Sequence, residues 1–119
     1  MARWFLYLGA LYTLLSGGLG LLMLIWPMTR GLATAHAHLA LLGGGGLILA
    51  GLVYQLRGDQ QGWTALHLIL ANAGLWSLAV YLGASAYLAW PGLLTLGIAS
   101  GMVNIAAGLV FAVNLLSRR

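Results

Sequence analysis

Two histidines, His36 and His38, lie two residues apart at the beginning of a long apolar segment of the chain. An ionisable ring inside a membrane-spanning segment costs free energy unless it has a partner, so such a residue is a candidate functional site. An imidazole nitrogen is also a ligand of haem iron and of other transition metals. The pair therefore indicates a site that holds a haem or a metal ion.

A helical projection distinguishes the two histidines. At about 100° per residue, His38 points roughly 200° away from His36. The face of His38 carries bulky leucines, whereas the face of His36 consists mostly of small residues, against which a flat macrocycle or another helix could lie. We therefore predict that His36 is the ligand. Sharing its face are Ala40, Gly43, Gly44, Leu47, Ala50, Gly51 and Tyr54.

Two alternatives to a haem at His36 stay open. In the first, the glycines only permit close contact between helices, and both imidazoles form hydrogen bonds at the membrane interface. In the second, His36, His38 and Met28 hold copper or another transition metal, since imidazole and thioether groups bind such metals. The metal site is less favoured, because residues two apart on a helix point in different directions.

The third histidine, His67, belongs to an apolar segment that enters the membrane from the opposite side. At about 1.5 Å per residue, it lies roughly 20 Å or more from His36 along the membrane normal. A metal–imidazole bond is only about 2 Å long, with zinc as the guide, so the two histidines cannot share one iron within a monomer. The second ligand beside His36 would be Met23, Met28, a histidine of another subunit, or none.

For His67 we expect a role separate from that of His36. One interpretation is an interfacial ring that is hydrogen-bonded to water or to a neighbouring backbone group. The other is a second haem site or a quinone-head-group site near Trp63 and Arg57.

The composition defines the elements that must position these residues. Of 119 residues, 62% are hydrophobic and 5% are charged, which is typical of an integral membrane protein. Four apolar stretches, at about 4–27, 35–56, 64–90 and 92–116, are long enough to cross a bilayer. Short connections between them predict one all-α domain, an up-down-up-down four-helix transmembrane bundle. Each stretch carries small residues that allow close packing in lipid.

The charged residues indicate orientation. Arg3, Arg57, Arg118 and Arg119 fall on one side of the predicted membrane and Arg30 on the other. Because cytoplasmic loops carry the excess of arginine and lysine, both termini are expected in the cytoplasm, and for a bacterial protein the membrane would be the inner one. The arginines at segment ends explain the net charge of +4 without a nucleic-acid partner.

Residues 36–43, with the sequence HAHLALLG, resemble the histidine motif of small four-helix proteins related to the catalytic subunit of haem-copper oxidases and nitric oxide reductases. Residues 51–56 and 67–75 are similar to that group too. The small family commonly has asparagine at the position of Ala40 and a second histidine at that of Ala71. The resemblance implies that His36 is an axial ligand of haem b. It does not imply oxygen reduction, since the copper-site histidines have no counterparts.

The sequence as a whole predicts a small b-type-haem protein that acts in electron transfer or as an accessory subunit of a respiratory complex. Arg30 would pair with the haem propionates, and the haem would be held noncovalently because the chain has no cysteine. Because the monomer offers the haem a histidine ligand on one side only, we expect a homo-oligomer or a larger membrane complex. The alternative is a cofactor-free structural or assembly subunit. We expect no catalysis by side chains alone.

Overall fold

The computed structural model describes residues 1–58 and 61–117 of the chain. Within these ranges it contains four helical spans that are long and apolar enough to cross a membrane, and it contains no strand. The spans are Ala2–Ile25, Pro27–Arg57, Gly62–Ser85 and Gly92–Leu116. The predicted all-α membrane fold is confirmed: the chain is a multi-pass membrane protein whose apolar helices fit a lipid bilayer.

The first helix, α1 (Ala2–Ile25), ends because a proline follows it closely. Trp26 has an extended backbone, as expected for a residue before proline. The chain then forms a 3₁₀ helix over Pro27–Leu32, with the proline at the first position, where no backbone N–H is needed. Residues 28–34, which we expected to form a loop, are therefore helical and belong to the beginning of the second span.

The second span changes its helical geometry along its length. After the 3₁₀ helix it becomes an α-helix in α2 (Ala33–His38), continues as a π-helix over Leu39–Gly46 and returns to an α-helix in α3 (Leu47–Arg57). Such wide turns are rare and are often found at functional sites, and here the segment includes a run of glycines. The span ends at Arg57, and the next residue, Gly58, has a φ of 83°, which favours glycine.

The last two spans form a helical hairpin. The third, α4 (Gln61–Ser85), ends at Ser85 rather than at the predicted Trp90, and the fourth, α5 (Gly92–Leu116), begins after Pro91. The connection packs against the 3₁₀ helix, because the hydroxyl group of Tyr87 donates a hydrogen bond to the carbonyl oxygen of Met28 at 3.0 Å. This contact ties the α4–α5 turn to the α1–α2 turn at the same end of the bundle.

Glycines set the distance between α1 and the second span. A Cβ atom added at Gly9 would lie 3.0 Å from the backbone nitrogen of Ile48 and 3.1 Å from the carbonyl oxygen of Gly44. A Cβ atom at Gly43 would lie 2.8 Å from the ring of Tyr12. Lipid offers no hydrophobic driving force for helix association, so close packing of this kind stabilises the pair.

The bundle is flattened, with extents of 50 × 30 × 15 Å. α1 packs along the second span and α4 packs along α5, whereas α3 and α5 contact each other only weakly. A hydrogen bond from the Tyr12 hydroxyl to Oδ1 of Asn72, 2.6 Å long, joins α1 to α4. The arrangement is two close helix pairs held together by fewer contacts.

Two polar side chains, Thr64 and Asn114, are buried without a hydrogen-bond partner among the described residues. Thr64 lies one helical turn before His67 in α4, and Asn114 lies one turn after Phe111 in α5. The rings of His67 and Phe111 pack together, so both polar side chains lie in the layer next to this contact. A buried polar group without a partner costs about 1–3 kcal/mol.

Thr64→Val is therefore expected to raise the free energy of unfolding by about 1 kcal/mol, since valine has nearly the same shape and removes the buried hydroxyl group. Thermal unfolding in detergent micelles measures the change, and Thr95→Val, at an exposed position, is the control. A lower stability for Thr64→Val would mean that the hydroxyl group has a bonding partner, such as a bound water molecule.

Candidate functional site

The ring of His36 is held between α2 and α1 by hydrogen bonds to Ser16. Its Nδ1 lies 2.9 Å from the carbonyl oxygen of Ser16, and because a carbonyl oxygen can only accept, Nδ1 carries the proton in this bond. The hydroxyl group of Ser16 lies 3.0 Å from the same Nδ1 and donates to the carbonyl oxygen of His36 at 3.2 Å. Ser16 is buried, so the two helices share a small polar contact.

These bonds determine which ring nitrogen of His36 is available. With the proton on Nδ1, the neutral ring has its lone pair on Nε2, and Nε2 makes no hydrogen bond to any described residue. The side of the ring faces Gly20 of α1, where an added Cβ atom would lie 3.1 Å from the ring carbon Cε1. Histidines that bind metals have this arrangement, with one nitrogen donating to a carbonyl group and the other free to ligate.

His38 has the same tautomer but a different setting. Its Nδ1 donates to the carbonyl oxygen of Thr34, one turn earlier in the same helix, at 2.8 Å. The bond lies at the exposed surface and joins no second helix. His36 therefore bonds to α1, whereas His38 bonds within its own helix. Among the described residues, no group of three or more histidine, cysteine or acidic side chains forms a metal cluster.

The other residues predicted for this site lie at the same end of the bundle. Met23 is half-buried in α1, one turn beyond Gly20, the residue against which the His36 ring packs. Met28 and Arg30 belong to the 3₁₀ helix and are exposed, Met28 by 80% of its surface. Of the two methionines, Met23 is the one placed beside the helix contact that holds His36.

The small-residue face of the second span is covered by other helices. Gly43 and Gly44 pack on Tyr12 and Thr13, and Gly51 packs on Phe5 of α1. On this face we expected either a macrocycle or another helix, and at these glycines the neighbour is the helix α1. The free Nε2 of His36 keeps the chemistry of a metal ligand, whereas α1 occupies the face of the second span at Gly43, Gly44 and Gly51.

His67 lies at the other end of the bundle, inside an aromatic cluster. Its Nδ1 is 2.8 Å from the hydroxyl oxygen of Tyr54, and its ring centroid is 5.0 Å from that of Phe5 and 5.1 Å from that of Phe111. The residue is buried. The expected bond to water or to the backbone is thus replaced by a bond to a side chain, and the neighbours of the ring are these three aromatic residues.

The sites around His36 and His67 are separate. Tyr54, which contacts His67, follows His36 along the second span by roughly 25 Å at about 1.5 Å per residue. The sequence predicts neither Ser16 as a partner of His36 nor Tyr54 and Phe111 as partners of His67. The sequence carries only a weak signal for these partners. Which residue on another helix becomes a partner depends on how the two helices are rotated, and apolar periodicity alone does not determine that rotation.

A comparison of the chain with protein-family models, with curated proteins and with solved structures finds no match to any of them. Nothing in these comparisons links the chain to the subunits of haem-copper oxidases.

Proposed function

We propose that the protein binds a b-type haem through Nε2 of His36 and transfers electrons in the membrane, alone or as an accessory subunit of a respiratory complex. The observation that carries the proposal is the hydrogen bond from Nδ1 of His36 to the carbonyl oxygen of Ser16. It holds the ring in the orientation and tautomer of a metal ligand. The resemblance of residues 36–43 to the oxidase histidine motif supports the same assignment.

The residues around His36 would each have a defined task. Ser16 and Gly20 hold the imidazole ring in place, and Arg30, exposed in the 3₁₀ helix, would pair with the carboxylate groups of the propionates. When bound, a b-type haem supplies one-electron transfer. Met23 is the candidate second ligand within one chain. Because α1 covers the small-residue face, the remaining wall of the site would come from a second copy or from a larger membrane partner.

The visible spectrum of the purified protein, oxidised and then reduced with dithionite, tests the proposal. A six-coordinate low-spin spectrum is expected. A bis-histidine signature that disappears on dilution to monomers would place the site between subunits, whereas a histidine–methionine signature that is unchanged in the monomer would assign Met23 or Met28. A protein purified after expression with ample haem supply that shows no haem absorbance would contradict the proposal.

A specific observation favours one second candidate, a cofactor-free structural or assembly subunit. The glycines of the second span are already used for contact with α1, and His36 and His38 both have hydrogen-bond partners. Under this candidate function, the exposed leucines and tryptophans of the outer faces would dock on a larger complex. The absence of haem absorbance, together with co-purification of a defined membrane partner, would favour it.

We also propose that both termini lie in the cytoplasm and that, for a bacterial protein, the membrane is the inner one. Arg3 and Arg57 support this orientation. They lie at the same end of the bundle, since the rings of Phe5 and Tyr54 pack at 5.2 Å, whereas Arg30 lies at the opposite end. Arg118 and Arg119, on which the orientation also depends, are outside the described residues, as is Asp59.

A reporter enzyme that is active only in the periplasm, fused after Arg119, is expected to be inactive, and the same reporter inserted after Arg30 is expected to be active. The four-to-one arginine bias predicts this pattern. The opposite pattern would reverse the orientation.

A further inference from the structure

A cavity of about 310 Å³ lies between the second span, α4 and α5. It exists because α3 and α5 contact each other only weakly and because small residues, among them Ala50, Ala107 and Gly108, line the gap. The end of the gap is closed by the packing of Tyr54 on Phe111, with ring centroids 5.6 Å apart. His36 does not line the cavity, and the cavity does not depend on the haem proposed at His36.

A ring nitrogen of His67 makes this mostly apolar cavity chemically specific. His67 lines the cavity, and its ring is fixed by Phe5, Phe111 and the hydroxyl group of Tyr54. Nδ1 is bonded to Tyr54, whereas Nε2 makes no hydrogen bond to any described residue. The other polar residue of the lining, Asn104, donates its Nδ2 to the carbonyl oxygen of Ser100 and keeps its Oδ1 as an acceptor only. A ligand in the cavity is thus offered an unpaired ring nitrogen.

The bond between Tyr54 and His67 allows this nitrogen to have either hydrogen-bonding role. A tyrosine hydroxyl group both donates and accepts. When Tyr54 donates to Nδ1, Nε2 carries a proton and donates to a carbonyl oxygen of the ligand. When Nδ1 donates to Tyr54, Nε2 accepts from a hydroxyl group. A ligand that exists in a carbonyl form and a hydroxyl form can therefore be bound in both.

The size and the surroundings of the cavity restrict the ligand further. The volume is at the lower end of the range for small-molecule sites, about 300–1,000 Å³, and so suits a single ring. Two of the lining leucines, Leu42 and Leu49, are exposed on the outer face of the second span, where an apolar tail would pass into lipid. A plain acyl chain fits less well, because it would leave Nε2 of His67 without a partner.

We infer that this cavity binds the head group of a membrane quinone, with Nε2 of His67 as the hydrogen-bond partner of a ring oxygen and the isoprenoid tail in the bilayer.

Saturation binding of a short-tailed ubiquinone analogue to the purified protein in detergent micelles tests the inference. We expect a single saturable site. His67→Phe retains an aromatic ring but removes the hydrogen bond, and binding is expected to weaken about tenfold. His38→Phe, on the surface outside the cavity, is the control and is expected to bind like the unmodified protein.

A second pair of variants tests the cavity itself. A Cβ atom added at Gly108 meets nothing within 4 Å, so Gly108→Leu is expected to fill the cavity without disturbing the helices and to abolish binding. Gly101→Leu makes the same change in the same helix, also in open space, but outside the cavity lining, and is expected to bind normally. Circular dichroism confirms that each variant keeps its helices.

Three results would overturn the inference. The first is the absence of saturable binding by the unmodified protein. The second is unchanged binding in both His67→Phe and Gly108→Leu. The third is loss of binding in Gly108→Leu with full binding in His67→Phe, together with displacement of the analogue by a simple alkane of similar length, because the cavity would then accept any apolar chain. None of these results bears on haem absorbance, so the two proposals fail independently.

Discussion

Replacement of His36 by alanine is expected to abolish haem absorbance in the purified protein. The substitution removes Nε2, the proposed ligand atom, but it keeps the hydrogen bond from the Ser16 hydroxyl group to the backbone carbonyl of residue 36, so the helices should still associate. His38→Ala is the matched control and should keep most of the absorbance, because His38 bonds only within its own helix. Haem content per chain, measured as the pyridine complex, gives the result.

Addition of free imidazole to His36→Ala separates a lost ligand from a damaged fold. Imidazole is expected to restore the low-spin spectrum, since it can occupy the space that the ring leaves between Ser16 and Gly20. Full haem content in both His36→Ala and His38→Ala would reject the haem proposal. Loss in His38→Ala alone would mean that the ligand lies on the outer face of the second span.

Gly9→Ala is expected to destabilise the bundle by about 1–3 kcal/mol, the cost of overpacking a close contact. The new Cβ atom would lie 2.6 Å from the Cγ1 atom of Ile48 and 3.0 Å from the backbone nitrogen of the same residue. A side chain can rotate away, but the backbone of the second span cannot, so α1 must move outward. Unfolding of the protein in mixed micelles with increasing denaturing detergent measures the loss.

Gly17→Ala is the control for this effect. It makes the same change in the same helix, at a position where an added Cβ atom meets nothing within 4 Å. Without a clash, the higher helix propensity of alanine should leave stability unchanged or raise it by up to about 1 kcal/mol. If Gly9→Ala were as stable as Gly17→Ala, the close α1–second span contact would be absent from the folded protein.

The sequence alone was sufficient for the features that depend on periodicity and composition. The four spans follow from apolar length, and the face predicted to contain Gly43, Gly44, Leu47 and Tyr54 is buried, because residues that recur with the helical period lie on one side. The separation of His36 and His67 follows from the rise per residue. The predicted loop at 28–34 and the predicted helix end at Trp90 differ from the structure. Both lie next to a proline, where the conformation of the chain depends on the segment against which it packs.

The tertiary structure decided what covers each face and which partner each histidine has. Small residues permit a helix and a macrocycle equally, so only the packing of α1 on Gly43 and Gly44 shows which one lies there. His36 bonds to Ser16, and His67 bonds to Tyr54. Each bond joins two helical segments, and the periodicity of the sequence does not define how such segments are rotated relative to each other. The cavity beside His67 has the same origin: it is a gap between α3 and α5, and a gap depends on how closely two helices approach, a distance set by the side chains of all four spans together.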